Sequence, residues 1–166
     1  MGLAVTHVLL AIILIDIFRK KVIKKKDFSL WLVLLGGIAG LLPDIDIPLF
    51  WLLQFFIDIN NFHQDFTHNL IIPIILLIIG MTTIKWKNIS HTSFVIAAGW
   101  TIHILIDVIV DAAPMFYPFT NARFGLYLLD YLPQAISSEF LLGIDAIILI
   151  LWLTYEWKYK LIRDYI

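Results

Sequence analysis

The sequence predicts an all-α fold, a polytopic membrane helical bundle of about five transmembrane helices plus short interfacial or re-entrant helices. The whole chain, 1–166, reads as a single integral membrane domain. Three observations predict this. Hydrophobic residues make up 61% of the chain, charged residues 15%, and mean hydropathy is +0.91, which is more apolar surface than a globule of 166 residues can bury. The apolar residues gather into five runs, at 2–18, 28–42, 69–84, 92–113 and 139–155, each near the length that crosses a hydrocarbon core. Basic residues follow the first, third and fifth runs.

Each element has its own justification. The first run, GLAVTHVLLAIILIDIF, lacks a basic segment before it and a small-residue cleavage pattern after it, so it is expected to stay as a span. The second is short and stops at Pro43. IPLFWLLQFFI (47–57) is too short to span and ends in polar DINN, which suits an interfacial or re-entrant helix. The third and fourth runs follow, and then PMFYPFTNARFGLYLLDYLPQ (114–134), whose aromatics and prolines suit a cap lying in the interface. The last run closes the bundle.

Charge sets the orientation. Eleven of the twelve Lys and Arg residues lie in 19–26, 85–87 and 158–163, and Arg123 is the exception. Five spans with the N-terminus outside and the C-terminus cytoplasmic put all eleven on the cytoplasmic side, as the positive-inside rule requires. There is no cysteine, which excludes disulfides, thiolate metal sites and cysteine nucleophiles.

On this topology the ionisable residues gather at the outer face. His7 lies near the outer end of the first span, and Asp44 and Asp46 of LLPDIDIP at the outer end of the second. His63, Asp65 and His68 of HQDFTHN introduce the third, and His103 and Asp107 lie in the outer half of the fourth. Four of the five histidines thus share one layer, with only His91 on the inner side. Each piece alone has a bland explanation as a cap, a turn or an interhelical hydrogen bond; their conjunction at one depth marks a functional site. His103 and Asp107, four apart, project from one face of a helix. Asp44 and Asp46 flank one residue after a proline, a turn expected to aim both carboxylates at one point. Imidazole and carboxylate without thiolate suit Zn²⁺, Mn²⁺ or Fe²⁺, and the donors suffice for two ions.

Thr6–His7, PDID (Pro43–Asp46), H-x-x-x-T-H (His63–His68) and H-x-x-x-D (His103–Asp107) occur in that order. The series resembles the YdjM-type family of inner-membrane-associated metal-dependent hydrolases, over residues 6 to about 120. That family is akin to the zinc-dependent phospholipase C and single-strand nuclease superfamily. The resemblance implies a metal-ligand set of His7, Asp44, Asp46, His63, His68, His103 and Asp107. Where the family has His-Arg, this chain has His63–Gln64, so Gln64 and Arg123 become the candidate substrate-binding residues, with Arg123 standing in as phosphate clamp.

The expectation is a hydrolase of the cell (inner) membrane, multi-pass, with a divalent metal, zinc first, opening to the extracytoplasmic side. Its partners would be the lipid bilayer and a lipid or lipid-linked phosphoester; no nucleic acid is expected. Asp44 or Asp65 would take the proton of the attacking water. The alternative is a cation- or proton-translocating or metal-binding membrane protein without hydrolase activity, which would place carboxylates at several depths.

Overall fold

The computed structural model describes residues 4–23, 28–58, 60, 62–64, 66–131 and 134–159. Six α-helices form among them: α1 (Ala4–Phe18), α2 (Leu30–Ala39), α3 (Asp46–Leu53), α4 (Ile71–Thr82), α5 (Lys87–Val110) and α6 (Gln134–Tyr159). The described residues contain no strand; one isolated antiparallel bridge joins Ala113 and Phe124.

The 24-residue helix α5 holds the centre. It packs against α4, α2 and α1, while α6 packs on α1. The α1–α2–α5 core is aliphatic, built from buried Leu9, Ile12, Ile15, Val33 and Val95 with Phe28. Glycine sets the spacing between α2 and α5. A Cβ at Gly99 would overlap the carbonyl oxygen of Gly36 and come within 3.0 Å of Ala39. Helices meet this closely in membranes where small residues let the backbones touch. One turn beyond Gly99 lies His103, and one turn beyond Gly36 lies Gly40, so this contact brings those two together.

The expected five spans are found only in part. Only α5, 24 residues and about 36 Å at 1.5 Å per residue, is long and apolar enough to cross a membrane alone among the described residues. Leu30–Ala39 and Leu42–Leu53 pass the same test only as a pair, bent by 48°, as a broken span or a re-entrant loop. The first, second and third runs are shortened by local chemistry, while the fifth lies whole within α6. The first gives way at Arg19 to a wider π-type turn, Arg19–Ile23, so α1 has 15 residues. In the third, Asn69 is used as a turn, its Oδ1 accepting from the Ile71 N–H at 2.9 Å, and α4 has 12 residues. The second ends at Gly40 and restarts through the 3₁₀ turn Leu42–Ile45 around Pro43.

The N-terminus of α1 is held from the other end of the chain. Asp145 on α6 is buried and accepts from the Val5 N–H at 3.2 Å, the Thr6 N–H at 2.9 Å and the Thr6 hydroxyl at 2.5 Å. A carboxylate there satisfies orphan donors of the first turn and sits favourably on the helix dipole. It fixes the turn that carries His7.

Candidate metal centre

Five segments converge where α1, α2 and α5 meet the loop before α4. His7 comes from the first turns of α1, Asp44 from the 3₁₀ turn, Asp46 from the start of α3, His63 and His68 from the loop, and His103 and Asp107 from α5. Their potential ligand atoms fall into two triads, His7–His103–Asp107 and Asp44–His63–His68, each with all its atoms within 4.8 Å of one another.

The triads join through the imidazoles of His68 and His103, whose Nε2 atoms are 3.1 Å apart. The partners of the other ring nitrogens fix the tautomers. His103 Nδ1 is 2.7 Å from the Gly40 carbonyl oxygen, which can only accept, so Nδ1 carries the proton. That carbonyl lies at the end of α2, where helical partners run out. The Thr67 hydroxyl donates to Asp46 Oδ2 at 2.7 Å and must therefore accept from His68 Nδ1, at 2.9 Å. Both Nδ1 atoms are protonated, so in neutral rings both Nε2 atoms present lone pairs to each other. Two lone pairs at that distance repel unless a cation lies between them.

Two carboxylates complete the surroundings. Asp107 Oδ2 is 3.3 Å from both His68 Nε2 and His103 Nε2, and Asp44 Oδ1 is 3.4 Å and 3.6 Å from the same two atoms. Asp107 also reaches His7, its Oδ1 lying 3.3 Å from His7 Nε2. His68 and His103 are fully buried, and the Asp44 side chain, 31% exposed, is the open edge of the group. Burial opposes charging of His68, but hydrogen bonding to Asp107 and Asp44 outweighs it and raises its pKa from 6.5 to about 9. The cluster attracts positive charge, and a proton is the simplest form of it.

Asp46 stands behind the ligands rather than among them. Its two oxygens accept from His63 Nδ1 at 2.9 Å, the Gln64 N–H at 2.9 Å and Thr67 Oγ1 at 2.7 Å. The two carboxylates of PDID therefore do not aim at one point: Asp44 faces the imidazoles, and Asp46 orients His63 directly and His68 through Thr67. The Trp100 indole N–H, donating to the Thr67 carbonyl at 2.8 Å, ties this loop to α5.

The expected layer of four histidines is assembled, and His91 lies apart, its ring 5.6 Å from that of Phe28. Asp65, a candidate base, lies outside the described residues. Gln64 and Arg123 come together, the guanidinium donating to the Gln64 side-chain oxygen. Sequence reasoning missed the roles of Thr67 and the Gly40 carbonyl. Thr67 had a signal, being the residue before His68 within the H-x-x-x-T-H motif.

Fold and site together define an all-helical membrane protein with a buried polar centre suited to a cation. The family model for the YdjM inner membrane protein matches residues 1–162, and the chain belongs to that family. No curated protein and no solved structure matches it.

Proposed function

We propose that the chain is a membrane-embedded, metal-dependent hydrolase. Its substrate would be a phosphoester of a lipid or lipid-linked molecule, and its site would face the extracytoplasmic side. One observation carries this reading: two buried imidazoles, each with its Nδ1 proton held by an oxygen behind it, face each other through Nε2 atoms 3.1 Å apart between two carboxylates.

The donor set fits zinc. Four ligands at about 2.0–2.1 Å in a tetrahedron stand about 3.3–3.4 Å from one another. Among His68 Nε2, His103 Nε2, Asp44 Oδ1 and Asp107 Oδ2, five separations are 3.1, 3.3, 3.3, 3.4 and 3.6 Å. His7 and His63 are the further donors, on Asp107 and beside Asp44 respectively. When bound, a divalent ion supplies Lewis acidity toward a phosphoryl oxygen and makes water nucleophilic near neutral pH. The protein's own part is to hold and orient. Gly40, Thr67 and Asp46 fix the tautomers and ring planes, as hydrogen-bond partners behind metal ligands do. Of the four donors, His68, His103 and Asp107 would hold the ion and leave a position for water, and Asp44, at the open edge and unligated, would be the carboxylate that takes the water's proton.

The lipid substrate is supported by the surface beside the site. Directly after Asp44 and Asp46 come Trp51, Leu52, Phe55 and Phe56, all strongly exposed, with Phe55 at 79% and Phe56 at 78%. Such a surface suits the acyl boundary of a bilayer. The orientation is supported by the helix ends. Arg19, Lys20 and Lys21 lie at the end of α1 away from His7, and Lys87 begins α5, 16 residues or about 24 Å from His103. Basic ends inside would put the cluster outside, which supports this reading. Cation translocation is disfavoured, because Leu9, Ala11, Ile12 and Ile15, buried and apolar, separate His7 from Asp16 along α1.

The test is metal analysis of the detergent-purified protein, followed by assay of phosphate or headgroup release from phospholipids and lipid-linked phosphoesters in nanodiscs. Bound metal together with release is the expected result. Purified protein without metal overturns the reading, and metal without hydrolysis of any phosphoester reduces it to a metal-binding membrane protein.

A further inference from the structure

Arg123 stands apart from the other cations of the chain, since the remaining eleven Lys and Arg residues lie in 19–26, 85–87 and 158–163. It belongs to the segment between α5 and α6, which folds back on the end of α5. Ala113 and Phe124 exchange two backbone hydrogen bonds of 3.0 Å, and the Leu126 N–H donates to the Val108 carbonyl at 2.7 Å. Gly125 permits this return, because a Cβ there would overlap the Asp111 carbonyl oxygen. The result places Arg123 against the loop that carries His63 and His68.

The guanidinium is held by two neutral oxygens. Its Nη2 donates to the Ala112 carbonyl at 2.7 Å and to the side-chain oxygen of Gln64. Its position is thereby fixed, and neither partner cancels its charge. Gln64 is itself shaped for this role. It has φ 70, in the left-handed region that a residue with a side chain seldom adopts. That conformation is held by Asp46, which takes the Gln64 N–H on one oxygen and His63 Nδ1 on the other. Strained backbone persists where the surroundings over-determine it, and this happens most often at functional sites. One carboxylate thus orients a metal-ligand candidate and the residue that holds the arginine.

We propose that Arg123 is the anion-binding residue of the site, receiving the phosphate group of the substrate, and that Gln64 positions Arg123 and does not contact substrate. The inference rests on the hydrolase reading and deepens it. A guanidinium offers phosphate a planar fork of donors, and one already immobilised loses less freedom on binding. The recognised chemistry is a tetrahedral phosphate-type anion, carried either by a lipid headgroup or free in solution.

The probe is inorganic phosphate, titrated calorimetrically into the full chain in detergent with and without zinc, with zinc occupancy measured in parallel. Arg123→Gln is expected to weaken phosphate binding by about 10- to 100-fold, the scale of a lost charged hydrogen bond, with zinc occupancy unchanged. Arg123→Lys should restore only part of the loss, since an ammonium lacks the fork. Gln64→Ala should weaken phosphate severalfold, again without loss of zinc. A second arm uses nanodiscs of phosphatidic acid or phosphatidylcholine as competitors against phosphate. Competition by phosphatidic acid identifies the lipid as the source, its absence identifies free phosphate, and dependence of either on Arg123 supports the proposal. Equal phosphate affinity in wild type and Arg123→Gln at equal zinc occupancy overturns this inference and leaves the hydrolase reading intact. Wild type that binds neither zinc nor phosphate overturns both.

Discussion

The two ends of α1 bury charge in opposite ways. At the C-terminal end Asp16 is answered within its own helix: Arg19 Nη2 lies 2.8 Å from Oδ1 and Lys20 Nζ 2.5 Å from Oδ2, at spacings of three and four residues. At the N-terminal end Asp44, Asp46 and Asp107 face imidazoles, and no Lys or Arg is paired with them among the described residues. The first arrangement is complete as it stands. The second is rich in acceptors and lone pairs, and its two triads could hold a cation. A buried ion pair is weak evidence for function, whereas an uncompensated cluster of acceptors identifies what it is missing.

That contrast is broken most directly by removing a donor from the histidine cluster. Structural zinc sites bind with about 10–16 kcal/mol shared among four ligands, so His68→Ala or Asp107→Ala should lower zinc affinity by ~10²- to 10³-fold. Competition with a chromophoric chelator reads the change. Unaltered affinity in either variant would remove those residues from the ligand set.

Acidity is the next lever. His68 has its pKa raised from 6.5 to about 9, so in metal-free protein its protonated form contributes stability that is fully present below about 6.5. The contribution fades as pH rises through 9. Zinc requires the same Nε2 without its proton, so zinc affinity should move the other way and climb by up to about tenfold per pH unit across that window. Thermal denaturation of the metal-free form at pH 6 and pH 9, beside zinc titrations at the same values, should give opposite trends. Parallel trends would show that proton and metal do not compete at His68.

Asp46→Asn should act more gently, by about 10- to 100-fold in zinc affinity, which is the usual cost of losing a partner behind a ligand. Its cobalt-substituted form should show an altered visible spectrum, since His63 and His68 both lose orientation. A loss as large as that of His68→Ala would make Asp46 a ligand, as the sequence alone suggested.

The history of Asp46 shows what the chain discloses and what it withholds. His103 and Asp107 were legible because one helix decides their relation: four residues apart on α5, they share a face whatever else folds. The gathering of His7, His63 and His68 was legible because depth follows from counting along apolar runs. Asp44 and Asp46 were not separable, because their directions depend on where the 3₁₀ turn becomes α3 and on a loop about 20 residues away. Only part of the expected spans is found among the described residues, for a related reason. Hydropathy measures how long a stretch is apolar, and it does not register where Gly40 and Pro43 break α2 or where Asn69 delays α4. The Asp145 clamp on Thr6 joins positions 139 residues apart, beyond anything local spacing reveals.

The smallest expected effect sharpens the comparison most. Asp16 and His7 are nine residues apart on α1, about 13–14 Å, with the buried aliphatic core between them. Asp16→Asn removes the internal answer to Arg19 and Lys20 and should lower thermal stability, because Arg19 is itself buried and would be left without its carboxylate. Zinc affinity should remain within about twofold of wild type, since each end is balanced by its own neighbours, and mutations at distant sites with no shared partners act independently. If instead zinc affinity falls tenfold while the helices stay folded by circular dichroism, the two ends form one electrostatic system. The aliphatic segment of α1 would then no longer count against a path for cations, and the translocation reading would regain its ground.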